Sequence, residues 1–268
     1  MRRGSSLAEL RDRYRSRLPG AATLEALRAD PRAGVRALAE QLARRRSALD
    51  RERARIARLY RAERALSSDP GARIAGVDEV GMGPLAGPVV AAAVILPARP
   101  RLDDLDDSKR LRPEVRERVA DAVRELALDV GIGVACREEI DRLNIFQAGL
   151  LAMRRAIEAL ATPPDLVAID GRQVPDLSIA QAKCIGGDAR IACIAAASVV
   201  AKQHRDRWME DLDGRFPGYG FARNAGYGTP EHLRALALHG PTPEHRVSFA
   251  PVRSCTRPAG EVTPCPTW

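Results

Sequence analysis

The reading turns on residues 76–90, Gly76-Val-Asp-Glu-Val-Gly-Met-Gly-Pro-Leu-Ala-Gly-Pro-Val-Val90. An apolar run, Ile74, Ala75 and Val77, arrives at two adjacent carboxylates, Asp78 and Glu79. A loop rich in glycine and proline follows, and a second apolar run, Val89 to Leu96, departs. Two β-rich runs joined in this way read as strand, turn, strand. Adjacent acids at the end of a buried strand are costly unless a cation neutralises them. Neighbouring side chains on a regular strand face opposite ways. Asp78 and Glu79 therefore share a site only where the strand ends, bulges or lends a backbone carbonyl, which Gly81 and Gly83 make easy. Asp78 is the stronger side-chain ligand of the two.

Beyond this stretch the pattern alternates between strands and helices. Strands are predicted near 73–79, 88–96, 127–136, 166–169 and 179–185. Helices are predicted near 113–126, with Pro113 in the first turn, across 138–160, and from Ala192 to about Asp213. Thr229-Pro230-Glu231 supplies an N-cap and a proline at the first helical position, and Gly240 closes that helix. The fold class is α/β with a mixed sheet.

Residues 1–70 differ in texture. Val35, Leu38, Leu42, Leu49, Ile56, Leu59 and Leu66 recur at helical spacing among arginines. They predict a short helix and then a longer helix or helical hairpin over roughly 33–66, with Asp30-Pro31 at its start. Its one apolar stripe needs a packing surface, expected on the main domain. Ser67-Ser-Asp-Pro-Gly71 marks the boundary. The expected organisation is an N-terminal helical extension (1–70), a main domain (71–252) and a disordered tail (253–268).

The 268 residues carry a net charge of +8. Residues 1–70 hold 18 arginines against 9 acids, while the remainder holds 25 basic and 26 acidic residues. The basic excess thus sits in the first quarter. It suits an electrostatic partner, most often nucleic acid, although a solvated helix face in an arginine-rich chain would look the same. No apolar run is long enough to span a membrane, and no apolar segment follows Met1–Ser6 to form a secretory leader. Five cysteines (136, 184, 193, 255 and 265) lack C-x-x-C spacing, which fits reduced thiols in a cytoplasmic protein.

Three acidic sites lie just past apolar runs: Asp78 with Glu79, Asp170 and Asp188. One such aspartate would be unremarkable, because turn and cap aspartates outnumber ligands. Three together favour a metal centre at one edge of the sheet. Oxygen donors without a Cys/His cluster suit Mg²⁺ or Mn²⁺. Two such ions can clamp the attacking and leaving oxygens of a phosphodiester.

Gly81-x-Gly83-x-x-Ala86 formally fits a dinucleotide fingerprint. Carboxylates precede it where a pyrophosphate would go, Pro84 lacks an N–H, and a strand follows instead of a helix. The better reading is a backbone that approaches a ribose, whose 2′-hydroxyl both donates and accepts. Lysine occurs three times, at 109, 183 and 202, in a chain with 40 arginines. Lys109 and Lys202 could meet phosphates or balance the acids, whereas Lys183 reads as a surface residue. Tyr227, flanked by glycines, could stack on a sugar or base. The four histidines (204, 232, 239 and 245) show no metal spacing and read as structural.

At these residues the sequence resembles bacterial ribonuclease HII. The resemblance covers about 72–252. It rests on Val77-Asp-Glu-Val-Gly81 with Gly83-Pro-Leu-Ala-Gly-Pro88, Asp107-Ser-Lys109, Glu139-Ile-Asp-x-Leu-Asn-Ile145, Ile169-Asp-Gly171, Gly187-Asp188, Ala196-Ala-Ser198 through Ala201-Lys202, and Gly226-Tyr227. The arginine-rich extension resembles the longer N-terminal segment of some members. The resemblance implies a ribonuclease H-like fold with a mixed five-stranded sheet. It implies a monomeric cytoplasmic endonuclease that uses Mn²⁺ or Mg²⁺ on the RNA strand of RNA–DNA hybrids and on duplex DNA containing ribonucleotides. The expected products carry 3′-hydroxyl and 5′-phosphate ends, with roles in RNA primer removal and ribonucleotide excision repair.

By motif, Asp78, Glu79, Asp170 and Asp188 become the metal-binding catalytic acids. Gly81, Met82 and Gly83 sense the 2′-hydroxyl, and Tyr227 stacks on the sugar beyond the junction. Lys109, Asn144, Ser198 and Lys202 touch the backbone or support the site. Two positions depart from the family: a basic residue is usual where this chain has Met82, and common where it has Asn224-Ala225. The competing reading is a non-catalytic nucleic-acid binder working through the basic helices.

Overall fold

The computed structural model describes residues 5–98, 102–171 and 173–255. They form two compact units whose boundary falls between Ala57 and Arg58, inside one helix. The first unit holds α1 (Leu7–Arg13), α2 (Ala21–Arg28) and most of α3 (Ala33–Arg64). Helix α1 opens on a capping box, with Ser6 and Glu9 exchanging side-chain and backbone hydrogen bonds. Asp30 accepts from the Arg32 backbone N–H at 2.9 Å, so Asp30-Pro31 forms a turn and α3 begins two residues later. Val35, Leu38 and Leu42 pack on Leu10, Leu24 and Leu27. The front half of the apolar stripe is thus covered within its own unit, not by the main domain as expected.

The second unit begins with the last turns of α3 and continues through β1 (Ile74–Val80), β2 (Val89–Ile95), α4 (Pro113–Leu126), β3 (Asp129–Ala135), α5 (Arg137–Leu143) and α6 (Ile145–Glu158). Then follow β4 (Leu166–Asp170), β5 (Ala180–Cys184), α7 (Ala192–Arg215), α8 (Phe221–Asn224), α9 (Pro230–His239) and α10 (Ala250–Cys255). Arg253 to Cys255 close α10, and the rest of the expected tail, with Cys265, lies outside the described residues. Among the described residues no helix is long and apolar enough to cross a membrane.

The five strands form one mixed sheet in the order β3-β2-β1-β4-β5. Strands β1, β2 and β3 pair antiparallel, and β4 and β5 add parallel to β1. Strand alternation divides the core into two layers. Val90, Ala92 and Val94 face the alanine-rich start of α7, while Val77, Val89, Ala91 and Ala93 face α6. Small residues let the helices approach closely. A Cβ at Gly131 or Gly133 of β3 would stand 2.0 Å from the Ala156 or Ala152 carbonyl oxygen of α6.

The single helix expected across 138–160 is two. Asn144 adopts a left-handed φ of 74°, ends α5 and caps α6 by accepting from the Gln147 backbone N–H at 3.1 Å. Its side chain offers the cap oxygen, so the apolar periodicity continues across a break in the backbone.

Helix α7 has Ile191 at its N-cap, a residue whose side chain cannot cap. Glu63, near the end of α3, reaches in and accepts from the Cys193 backbone N–H at 2.8 Å. Burial pushes this carboxyl up to about 7 from an ordinary 4.5. Because the folded-state value is raised, the unfolded chain loses the proton first. Stability therefore falls as pH rises from about 4.5 to about 7 and then levels. Glu63→Gln keeps an acceptor for Cys193 without the charge. Urea unfolding should find it more stable than the parent by up to about 3 kcal/mol at pH 8, with the difference vanishing below pH 4.5.

Candidate active site

The geometric question at Asp78 and Glu79 is settled by the ladder. Their β2 partners, Ala92 and Ala91, continue an unbroken register to Val80↔Val90, whereas pairing with β4 stops at Val77↔Ile169. There is no bulge. Asp78 turns to the α7 layer and Glu79 to the α6 layer, as alternation requires. Because β4 ends at Asp170, the edge of β1 beyond Val77 is open on that side.

Asp78 is 8% exposed and accepts from the Glu79 backbone N–H at 2.9 Å. Burial, then Glu79, Asp170 and Asp188, pushes its carboxyl well above the usual carboxylate range, against a hydrogen bond from Ser198. Ser198 Oγ lies 2.9 Å from Ser108 Oγ, and both serines are buried. Ser198 thus stands behind Asp78 and joins it to the loop that carries Lys109. Glu79 lines a cavity with Asp170 and an apolar wall of Met82, Phe146, Leu150 and Met153. Its carboxyl is also raised, by burial first and Asp170 next, with Lys109 opposing.

Asp170 Oδ1 accepts from the Gly187 backbone N–H at 3.1 Å, which ties the end of β4 to the 3₁₀ turn Gly187–Ala189. That turn carries Asp188, which is 9% exposed, with a carboxyl raised by burial, Asp107 and Asp170. The four expected acids therefore gather at one edge of the sheet. Lys109 Nζ reaches Asp188 at 4.0 Å, but its side chain is 79% exposed, so this pair does little to neutralise the cluster.

As they stand, no three acidic, imidazole or thiol groups among the described residues converge closely enough to hold an ion. The donor set nonetheless fits a hard divalent cation: oxygen atoms only, with the Asp78, Glu79 and Asp188 carboxyls raised first by burial and then by acidic neighbours.

Of the remaining candidates, Tyr227 is 46% exposed, and its Cε1 would lie 3.4 Å from a Cβ at Gly83. The ring and the glycine loop thus face each other. Met82 does not point toward this gap. Its Sδ would lie 3.0 Å from a Cβ at Gly149, so the thioether packs into a notch on α6. Lys202 is engaged with Asp206, which also accepts from Arg116 at 2.8 Å. Asn144 is exposed at the head of α6. Lys183 is exposed on β5, as its surface reading implied.

The sequence reading missed what holds the loop. Arg246 donates to the carbonyls of Gly81 (2.7 Å), Gly87 (2.8 Å) and Met82 (3.3 Å). Arg205 donates to Pro88 (3.0 Å), Ala86 (3.1 Å) and Ala225 (2.9 Å). Both are fully buried. Nothing in a chain of 40 arginines marks these two.

Comparison with known proteins adds the lineage. A family model described as "Ribonuclease HII" matches residues 75–252, and one described as "Ribonuclease HII N-terminal domain" matches residues 9–67. A ribonuclease HII of Myxococcus xanthus is 51% identical over 251 residues, spanning 92% of this chain and 86% of the relative. The ribonuclease H2 structure from Pyrococcus horikoshii superposes with a TM-score of 0.59 at 24% identity, covering 68% of this chain and 96% of that one. A Bst-RNase HIII structure in complex with Mn²⁺ gives a TM-score of 0.52 at 22% identity, covering 72% and 70%. At these identities the two structures speak to the fold, and both support the ribonuclease H-like architecture.

Proposed function

The chain belongs to the ribonuclease HII family and is a ribonuclease H endonuclease, and from that premise we propose that it incises duplex DNA on the 5′ side of an embedded ribonucleotide. It would also cut the RNA strand of RNA–DNA hybrids, leaving 3′-hydroxyl and 5′-phosphate ends. Such an activity serves primer removal and ribonucleotide excision repair, here in a cytoplasmic monomer. The observation that carries the reading is the placement of the acid cluster beside the glycine loop, whose Gly83 faces the Tyr227 ring.

Asp78, Glu79, Asp170 and Asp188 would hold two Mn²⁺ or Mg²⁺ ions, as the all-oxygen donor set allows and as the Mn²⁺ in the distant RNase HIII structure suggests. When bound, such ions supply Lewis-acid stabilisation of charge on the attacking and leaving oxygens. The protein's own part is positioning. Ser198 and the Glu79 backbone N–H fix the Asp78 carboxylate, and Asp170 is tied to the turn that carries Asp188. The backbone of Gly81, Met82 and Gly83 would meet the 2′-hydroxyl, and the Tyr227 ring would cover the neighbouring sugar. With the Met82 side chain half-buried against α6, recognition at this loop falls to the backbone. Lys109, exposed beside Asp188, would meet a phosphate, and Asn144, Ser198 and Lys202 would support the strand path.

The test is incubation with Mn²⁺ or Mg²⁺ and duplex DNA carrying one ribonucleotide, run beside a long hybrid. Incision 5′ to the ribonucleotide is expected. No incision with either ion would refute the proposal.

The N-terminal unit would add affinity through its arginines. A chain lacking residues 1–57 keeps Leu59 and Glu63, which belong to the larger unit. It should bind hybrid at least about threefold more weakly near 0.1 M salt, with a shallower salt dependence. Equal affinity at several salt concentrations would remove that role.

A further inference from the structure

The glycine loop is held by an assembly that the acid-centred reading does not use. Gly81 and Gly87 both adopt left-handed φ values, 94° and 81°. The loop between them turns several carbonyls inward, away from water, where each needs a donor. Arg246 spans the loop, with Nη2 reaching both Gly81 and Gly87. Arg205 binds Ala86 and Pro88 and extends Nη1 to Ala225, in the segment that leads to Tyr227. One guanidinium thus grips both ends of the loop, and the other ties it to the tyrosine segment. Only a planar fork with five donors can make these contacts at once.

Two buried histidines complete the assembly. The Thr242 backbone N–H donates to His245 Nδ1 at 2.9 Å, so His245 carries its proton on Nε2. That proton is given to His232 Nε2, 3.0 Å away. His232 must then be protonated on Nδ1, which donates to the Tyr227 carbonyl at 2.9 Å. Both rings are neutral, and the hydrogen bonds run in one direction from Thr242 to Tyr227. The same segment meets the glycine loop through its backbone: Arg246 N–H donates to Leu85 at 2.8 Å and Gly87 N–H to Glu244 at 3.0 Å. Residues 242–246 therefore grip the glycine loop with Arg246 and the tyrosine segment with the histidine pair.

We infer that Arg246, Arg205 and the His232–His245 pair are positioning residues for ribonucleotide recognition, setting the gap between the Gly81–Gly83 backbone and the Tyr227 ring. This rests on the reading of that gap as the ribose site. A hydroxyl is distinguished from a hydrogen only where donors and acceptors are held to within about half an ångström. The four side chains touch no reacting atom, so their loss weakens binding and leaves the chemical step in place.

The test compares His232→Ala, His232→Asn and Arg246→Lys with the parent, on duplex DNA carrying one ribonucleotide and with Mn²⁺. Asparagine places an N–H where Nδ1–H stood and can still donate to the Tyr227 carbonyl. His232→Ala should raise KM about tenfold with kcat within about twofold, and His232→Asn should restore most of the loss. Arg246→Lys, if its melting curve shows a folded protein, should raise KM at least as much. The inference is overturned if His232→Ala and His232→Asn lose activity equally, if the loss is in kcat alone, or if neither moves KM. A parent that does not cut this substrate refutes the ribose site itself, before any variant is compared.

Discussion

Asp78→Asn should abolish turnover and, at the same time, raise the melting temperature of the metal-free protein. The carboxyl is buried, which raises its pKa first, and Glu79, Asp170 and Asp188 push it further upward. A raised folded-state value means that the ionised form is penalised. The penalty is absent below the unfolded value of 3.8 and grows as pH rises above it. At pH 7 in chelator the carboxylate is therefore a liability to the fold. Asparagine has nearly the same shape and keeps an oxygen for the Glu79 backbone N–H and for Ser198, so the penalty goes while the hydrogen bonds stay. A neutral amide is a much poorer donor to a divalent ion, and kcat should fall by about 10³-fold. Substrate affinity should change little. Turnover within about threefold of the parent would remove Asp78 from the catalytic set. Loss of activity together with a lowered melting temperature would reassign it to folding. Wild type and variant that both bind hybrid and both stay inert would favour the non-catalytic binder.

Gly76→Ala should be a severely damaging small substitution in the larger unit. Gly76 lies on the α7 face of β1, two residues before Asp78. A Cβ there would stand 2.1 Å from the Cys193 carbonyl carbon, 2.3 Å from the Ile194 nitrogen and 2.4 Å from the Cys193 carbonyl oxygen. These are backbone atoms in the first turn of α7, so no rotamer change relieves the overlap. The helix must move off the sheet. Overpacking commonly costs about 1–3 kcal/mol, and displacement of this helix also strains the Glu63 cap and carries Ser198 away from Asp78. A loss of at least about 3 kcal/mol in urea unfolding, or failure to fold, is expected, with activity falling alongside. Gly214→Ala is the control: it lies in the same helix, with nothing within 4 Å of its Cβ. That change should stabilise by about 0.5–1 kcal/mol. Similar stability for the two variants would show that α7 does not rest on β1 at Gly76.

Some of this was legible before any coordinates. Strands near 73–79 and 88–96 correspond to β1 and β2, because short apolar runs buried on both faces and bounded by glycine and proline are local features of the chain. The Thr229 cap with Pro230 and Gly240 bounded α9 correctly for the same reason. The break at Asn144 was hidden, because apolar residues on either side keep a helical spacing across it. The destination of the N-terminal stripe was hidden too, since an amphipathic face does not say which surface will cover it.

The four acids were found from sequence, because carboxylates just past apolar runs are conspicuous in the one-dimensional pattern. How Asp78 and Glu79 divide between two layers required the register of β2 and the early end of β4. The two arginines were invisible. Arg246 and Gly81 are separated by 165 residues, and Arg205 and Ala86 by 119. The histidine pair read as structural, and the coordinates add a direction to it, because each tautomer is set by a backbone group elsewhere in the chain. By itself the sequence determined the α/β alternation, the acid set and the glycine loop, all of which follow from spacing along the chain. Only the tertiary structure decided which polar groups lose water and what replaces it. That outcome depends on partners brought together from distant segments, and no local pattern encodes it.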